Sequence, residues 1–204
     1  MDIRNKPINL NWWLKNYTIK QLARSDHFAL AVSMAQWKLN EIFKRVKVNP
    51  KDYTFADIGA GERAYLSFGL HSLKITSRAI DVFDFTKGTK LLFKKWGIKH
   101  TKNDENKIFN KNGLIQNSET AIIQMYCPFV KLSNVFIKYP NLKLFISDPH
   151  IFENETFQEE TKDKIESYFL ERGFKKKVIS IKHNIASKCF FQNLHEEVFV
   201  VWFK

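Results

Sequence analysis

The stretch Phe55-Ala56-Asp57-Ile58-Gly59-Ala60-Gly61 decides the fold. An apolar run ends in an acid and two glycines, and residues 63–73 behind them read as a helix. Strand, glycine turn and helix in that order make a place where a ligand can lie against backbone. Glycines let the main chain come close, and the helix N-terminus presents free N–H groups to whatever binds there. The same bend with no ligand is an ordinary β–α turn, so the surrounding elements must agree before the motif means more.

Upstream, Phe28, Val32, Ala35, Leu39, Ile42 and Val46 recur at alternating spacings of four and three, which is one face of a helix. Ser25 or Asp26 can cap its start, and Asn49-Pro50 lies beyond its end. Trp12, Trp13 and Tyr17 are the natural anchors of the mixed segment before it. The expectation is an N-terminal helical arm over residues 1–50 and a globular unit over 51–204.

Downstream, strand and helix patterns alternate. Strands are expected at 53–58, 75–83, 98–101, 121–126 and 142–147, with a helix over 86–96 and a polar loop over 103–118. Another helix begins near Pro128 and ends at Tyr139-Pro140. A longer one runs over 155–172, with Phe157, Thr161, Ile165, Tyr168 and Phe169 on one face and Gly173 at its end. Strands at 178–181 and 198–203 finish the chain. Such alternation calls for an α/β fold with a mostly parallel, seven-stranded sheet. The last two strands have no helix between them and must pair antiparallel, so the terminal strand is reversed.

Composition narrows the class. Aromatics are 15% of the chain, 19 of them Phe, so a packed core is expected rather than disorder. The 33 Lys and Arg against 21 Asp and Glu leave a net charge of +12. That excess suits a polyanion such as RNA, although an AT-rich genome would also enrich lysine. Cys127 and Cys189 have neither disulfide nor zinc-knuckle spacing, and no metal site is expected. With no apolar run of membrane-spanning length, a soluble, cytoplasmic protein is expected.

A ribose-binding site of this type needs an acid at the end of the second strand, roughly 20 residues after the glycines. Asp81 and Asp84 stand 24 and 27 residues beyond Asp57. The order Val82-Phe83-Asp84-Phe85-Thr86 puts Asp84 at the strand tip and favours it, with Asp81 as the alternative.

These residues resemble motif I and the following acidic motif of the class I S-adenosylmethionine (SAM)-dependent methyltransferases. Residues 98–104, ending at Asp104, are similar to that family's third strand, where an aspartate lies near the adenine. The tail Phe169-Leu170-Glu171-Arg172-Gly173-Phe174 followed by Val198-Phe199-Val200-Val201-Trp202 is similar to its last helix and reversed terminal strand. The resemblance implies a Rossmann-like class I methyltransferase fold. It also implies SAM as cofactor, framed by Asp57, Gly59, Ala60, Gly61, Asp81 or Asp84, Asp104 and Tyr126. One position departs. The family carries a small residue two places past the second glycine, where this chain has Arg63.

A narrower resemblance is to FtsJ-like RNA 2′-O-methyltransferases, through residues 33–42 and through Ala186-Ser187-Lys188 with Glu196-Glu197-Val198-Phe199-Val200. Those enzymes use a Lys-Asp-Lys-Glu tetrad. Lys38 and Glu197 stand at its first and last positions, Gln124 near the aspartate, and Ser147 and Asp148 near the second lysine. Lys182 lies only 15 residues before Glu197, too close to substitute. Read without the resemblance, Lys38 is a solvated lysine on the arm helix.

Tyr126-Cys127-Pro128-Phe129 faintly resembles the Asn-Pro-Pro-aromatic motif of amino-group methyltransferases. His150, after Asp148-Pro149, has the pKa range of a general base. All of these would sit at the carboxyl ends of parallel strands, where such sheets bind ligands.

Three basic clusters complete the reading: Lys87, Lys90 and Lys94; Lys44, Arg45, Lys47 and Lys51; and Lys175, Lys176 and Lys177. Phosphate contact needs only such point charges. The expected function is SAM-dependent methylation of RNA, with the ribose 2′-hydroxyl as one target. The rivals are a methyltransferase acting on a protein or small molecule, and a non-catalytic RNA- or protein-binding module with a degenerate pocket.

Overall fold

A computed structural model describes residues 9–16, 28–81, 84–102, 118–124, 132–148, 162–182 and 196–204. The expectations for Tyr17, Ser25, Asp26, Asp104, Tyr126, Cys127, Pro128, His150, Phe157, Thr161 and Lys188 fall outside these residues.

Helices α1 (Leu10–Asn16) and α2 (Phe28–Val46) precede the sheet. The strands are β1 (Phe55–Ile58), β2 (Ser77–Asp81), β3 (Lys99–Lys102), β4 (Ala121–Gln124), β5 (Leu144–Ser147), β6 (Lys175–Lys182) and β7 (Glu196–Phe203). Between them lie α3 (Tyr65–Ser72), α4 (Lys87–Trp96), α5 (Leu132–Lys138) and α6 (Lys162–Leu170). The seven strands join in the order β3-β2-β1-β4-β5-β7-β6. Strands β1 to β5 pair in parallel, and β7 runs antiparallel to both β5 and β6, so the terminal strand is reversed as expected. The chain builds outward from β1 through β2 to β3, then returns to place β4 on the other side of β1. That reversal is a topological switch point, and ligands of open α/β sheets bind at the carboxyl ends of the strands beside it.

Strand alternation divides the core. Phe55, Ala121, Ile123, Leu144, Ile146, Val201, Ile179 and Ile181 cluster with Leu39, Ile42, Phe43 and Val46 of α2. Ala56, Ile58, Ile122, Phe145, Val200 and Trp202 cluster on the other face with Val135, Tyr139 and Phe169. Helix α2 therefore supplies one wall of the main core. Trp13 of α1 is fully buried. Helices α2 and α3 cross closely: a Cβ built on Gly69 would stand 3.0 Å from the Gln36 nitrogen and 3.1 Å from Ala35 Cβ.

Several boundaries differ from expectation by one to three residues, two of them for a plain reason. Helix α3 starts at Tyr65 because Ala64, its N-cap, adopts φ 47°, ψ 44°. Strand β6 starts at Lys175 rather than at residue 178, because its ladder to β7 begins at Lys175↔Phe203. Backbone pairing carries the strand into a lysine run whose side chains face solvent. Among the described residues, no helix is long and apolar enough to cross a membrane.

Candidate functional site

The bend after β1 is held open by two left-handed glycines, Gly59 and Gly61, both at φ 70°. The N–H groups of Gly59 and Ala60 donate to the Ile80 carbonyl at 3.0 and 3.1 Å, tying the bend to β2. Gly61 N–H donates to Asp81 Oδ2 at 2.6 Å. The Glu62 carbonyl accepts from Thr86 N–H at 3.2 Å, which fixes the far side of the bend to the start of α4. A Cβ built on Gly61 would meet nothing within 4 Å. Gly61 is exposed, so a ligand can approach its backbone from that side.

Asp57 is fully buried beneath this turn, and its Oδ2 accepts from Ser67 Oγ at 2.6 Å. Its Oδ1 has no hydrogen-bond partner among the described residues. Burial pushes its pKa up to about 7; the Ser67 hydrogen bonds pull it back, and the nearby Asp81 charge adds to the rise.

The two second-strand acids have different surroundings. Asp81 is the last residue of β2, buried, and turned to the glycine bend. Asp84 is 50% exposed and paired with Lys90 Nζ at 2.7 Å. That Lys90 hydrogen bond, more than any other influence, holds its carboxyl below the ordinary aspartate range. The sequence reading put Asp84 first, whereas the geometry brings Asp81 to the turn.

Arg63 lies along the surface. Its guanidinium donates to the Tyr65 hydroxyl at 3.0 Å, and its Nε stands 3.8 Å from Glu62 Oε1. Both Arg63 and Glu62 are exposed.

Farther along the same carboxyl edge, Lys38 of α2 meets Glu197 of β7. Lys38 Nζ lies 2.7 Å from the carboxylate, and the side chains are 13% and 11% exposed. Glu197 precedes Val200, the residue paired with Ser147 at the end of β5, so it extends past the carboxyl end of that strand. Two residues separated by most of the chain thus meet as an ion pair. Gln124 pairs in register with Ile58 on one side and Ser147 on the other, and Gln124, Ser147 and Asp148 are all buried.

Of the basic clusters, Lys87 and Lys94 are exposed on α4. The second and third clusters merge: Lys177 donates to the Arg45 carbonyl, and Arg45 donates to the Ser180 carbonyl. Lys176 pairs with Glu166, and Lys44 and Lys175 are exposed. Sequence reasoning missed the Gly61–Asp81 hydrogen bond and the Asp57–Ser67 contact. The 20-residue spacing from Gly61 to Asp81 is the signal that pointed to the first.

No family model and no curated protein matches this sequence. Solved structures do match. The precorrin-6y C5,15-methyltransferase of Geobacter metallireducens GS-15 superposes with a TM-score of 0.55 at 13% identity, covering 98% of this chain and 100% of that one. The magnesium protoporphyrin IX methyltransferase of Synechocystis PCC 6803, with bound SAM, gives 0.53 at 9% identity over 89% and 86% of the two chains. The fold is that of the class I methyltransferases. The Gly59–Gly61 bend and the Lys38–Glu197 pair lie along the carboxyl edge of this sheet. The narrower FtsJ-like resemblance stands on the residues alone.

Proposed function

We propose that this chain is a SAM-dependent methyltransferase acting on RNA. The exposed glycine bend at the switch point, with the Asp81 carboxylate hydrogen-bonded to Gly61, carries the reading. The fit to a nucleoside cofactor is chemical. A carboxylate there can accept from ribose hydroxyls, glycine backbone permits close approach, and free N–H groups at the start of α3 suit a carboxylate. Asp81 would hold the ribose, and Gly59, Ala60 and Gly61 would line the methionine portion. Asp57, beneath the turn, would set its charge. Bound SAM supplies a methyl group on a positively charged sulfur. The chain's part is to align a nucleophile with that methyl group, and alignment alone can supply much of the rate.

RNA is the proposed substrate on the net charge of +12 and on the Lys38–Glu197 pair. Within RNA we propose the ribose 2′-hydroxyl as the target. Glu197 would hold the Lys38 ammonium at the carboxyl edge, where it would orient the 2′-oxygen; as that oxygen takes the methyl group, S-adenosylhomocysteine leaves and the hydroxyl's proton passes to solvent. Gln124 stands beside the site as a neutral residue where the resembled tetrad has a charged one.

The test is methyl transfer. Incubating the protein with SAM carrying a labelled methyl group and a mixture of RNAs should put label in RNA at alkali-resistant positions, and Lys38→Met should abolish it. Label appearing only in protein or in small molecules would overturn the RNA assignment and leave the methyltransferase assignment standing.

A further inference from the structure

The edge of the sheet opposite the glycine bend carries a lysine at nearly every strand entrance. Lys47 and Lys51 lie in the segment entering β1 and Lys74 in the turn entering β2. Lys99 begins β3, Lys143 precedes β5, and Lys175 begins β6. All six are exposed, and none has an ion pair among the described residues. The entering segments are fastened side by side: Phe55 N–H donates to the Thr76 carbonyl at 3.0 Å, Thr120 N–H to Thr54 at 3.0 Å, and Lys143 N–H to Thr120 at 2.8 Å. With strands about 4.8 Å apart, the row from β3 to β6 spans roughly 29 Å.

Little neutralises this row. Glu119, at the entrance to β4, is buried and paired with Arg78 at 2.8 Å. Two exposed acids stand among the described residues of these entering segments: Asp52, whose carboxylate already accepts from the Asn49 side chain at 3.0 Å, and Glu171, which is followed by the exposed cation Arg172. Successive lysine-bearing entrances are one or two strands apart, about 5–10 Å at the backbone, which is within about one Debye length, so the charges repel one another.

Backbone conformation gives a second, independent observation. Lys47 and Lys74 follow α2 and α3 in the left-handed region, at φ 63° and 60°. Glycine is the residue that takes such post-helical positions without strain. A lysine there is rewarded in part by the helix dipole, yet two such lysines fall in the same row.

We propose that this amino edge is an RNA-binding surface, contacting phosphates remote from the cofactor bend. The choice of RNA rests on the substrate reading above. The surface chemistry supports it over other partners. The large exposed apolar residues among those described, Leu91, Ile137, Leu170 and Val178, all lie outside the strand entrances. A protein interface needs an apolar centre, and membrane attachment needs apolar insertion. A bare linear row of ammonium groups suits phosphates, which need only point charges.

The test measures binding of a labelled single-stranded RNA to the full chain across a salt series. Replacing Lys47, Lys51, Lys74 and Lys143 together with Gln should lower the slope of log K against log salt by about 3, at about 0.7 per lost contact. Affinity near 0.1 M salt should fall by about tenfold or more, while SAM binding is unchanged. The pair Lys47→Gly and Lys74→Gly relieves the backbone and should keep or raise Tm while still weakening RNA binding. A quadruple variant with the wild-type slope and affinity overturns the amino-edge surface and leaves the RNA reading intact. Wild-type protein with no salt-dependent RNA binding overturns the RNA reading itself. Wild-type binding to phosphatidylserine vesicles instead of RNA overturns the choice of partner.

Discussion

Asp81 Oδ2 accepts a 2.6 Å hydrogen bond from the backbone N–H of Gly61, linking the end of β2 to the turn after β1. That contact holds the bend in the shape proposed to receive a nucleoside. A charged hydrogen bond of this kind is worth about 1.5–3 kcal/mol. Asp81→Asn should therefore lower stability by about 1–2 kcal/mol and weaken SAM binding at least tenfold by calorimetry. Asp84→Asn, at an exposed acid already engaged by Lys90, should leave SAM affinity within about twofold. The reverse ranking would move the ribose site to Asp84.

Asp57 predicts a pH effect with a definite sign. Its folded pKa of about 7 lies above the 3.8 of an unfolded aspartate. Between those values the folded chain keeps a proton that the unfolded chain has released. This group therefore favours folding most at low pH, and its contribution is lost as pH rises through that window. Asp57→Asn, which cannot ionise, should gain stability relative to wild type between pH 5 and pH 7.5, measured by urea unfolding without cofactor. A difference independent of pH would show that Asp57 ionises normally in the folded chain.

The Lys38–Glu197 pair is mostly buried, so removing one partner takes the opposite charge away from a largely desolvated group. A fully buried pair broken this way costs about 3–5 kcal/mol. At the exposures seen here, Lys38→Met and Glu197→Gln should each cost about 1–3 kcal/mol. The double variant should cost clearly less than their sum. Additive losses would mean that the two charges do not interact in solution.

Gly69 and Gly88 should respond oppositely to alanine. Alanine is favoured over glycine in a helix by about 1 kcal/mol. A Cβ at Gly88 finds its nearest neighbour, Thr86 Oγ1, at 4.0 Å, so Gly88→Ala should stabilise the protein by up to that amount. A Cβ at Gly69 meets backbone and Cβ atoms of α2 at 3.0–3.2 Å, none of which is a flexible side-chain end. Gly69→Ala should destabilise by about 1–3 kcal/mol in spite of its propensity. Thermal unfolding of the two variants checks both.

The fold was legible because its signals are local. The spacing from Phe28 to Val46, the glycine bend after Ile58 and the apolar run that forms β7 each follow from a few adjacent residues. The site was legible in part. Glycines 59 and 61 and the acid at position 57 announce themselves, but choosing between Asp81 and Asp84 needed the end of β2 and the position of Lys90, which depend on tertiary contacts. The Lys38–Glu197 pair came from a family resemblance, and periodicity alone gave no reason to join residues 159 apart. Lys47, Lys51 and Lys175 were visible as members of basic clusters, but the row was not legible, because its six lysines lie in five separate segments brought into line only by the strand order.

The central claim is that the bend between Asp57 and Gly61 cradles SAM. Titration of the purified protein with SAM by calorimetry tests it most directly. The account predicts one saturable site per chain, displaced by S-adenosylhomocysteine and weakened at least tenfold by Asp81→Asn. A cooperatively folded protein that takes up no SAM at millimolar concentration would contradict it.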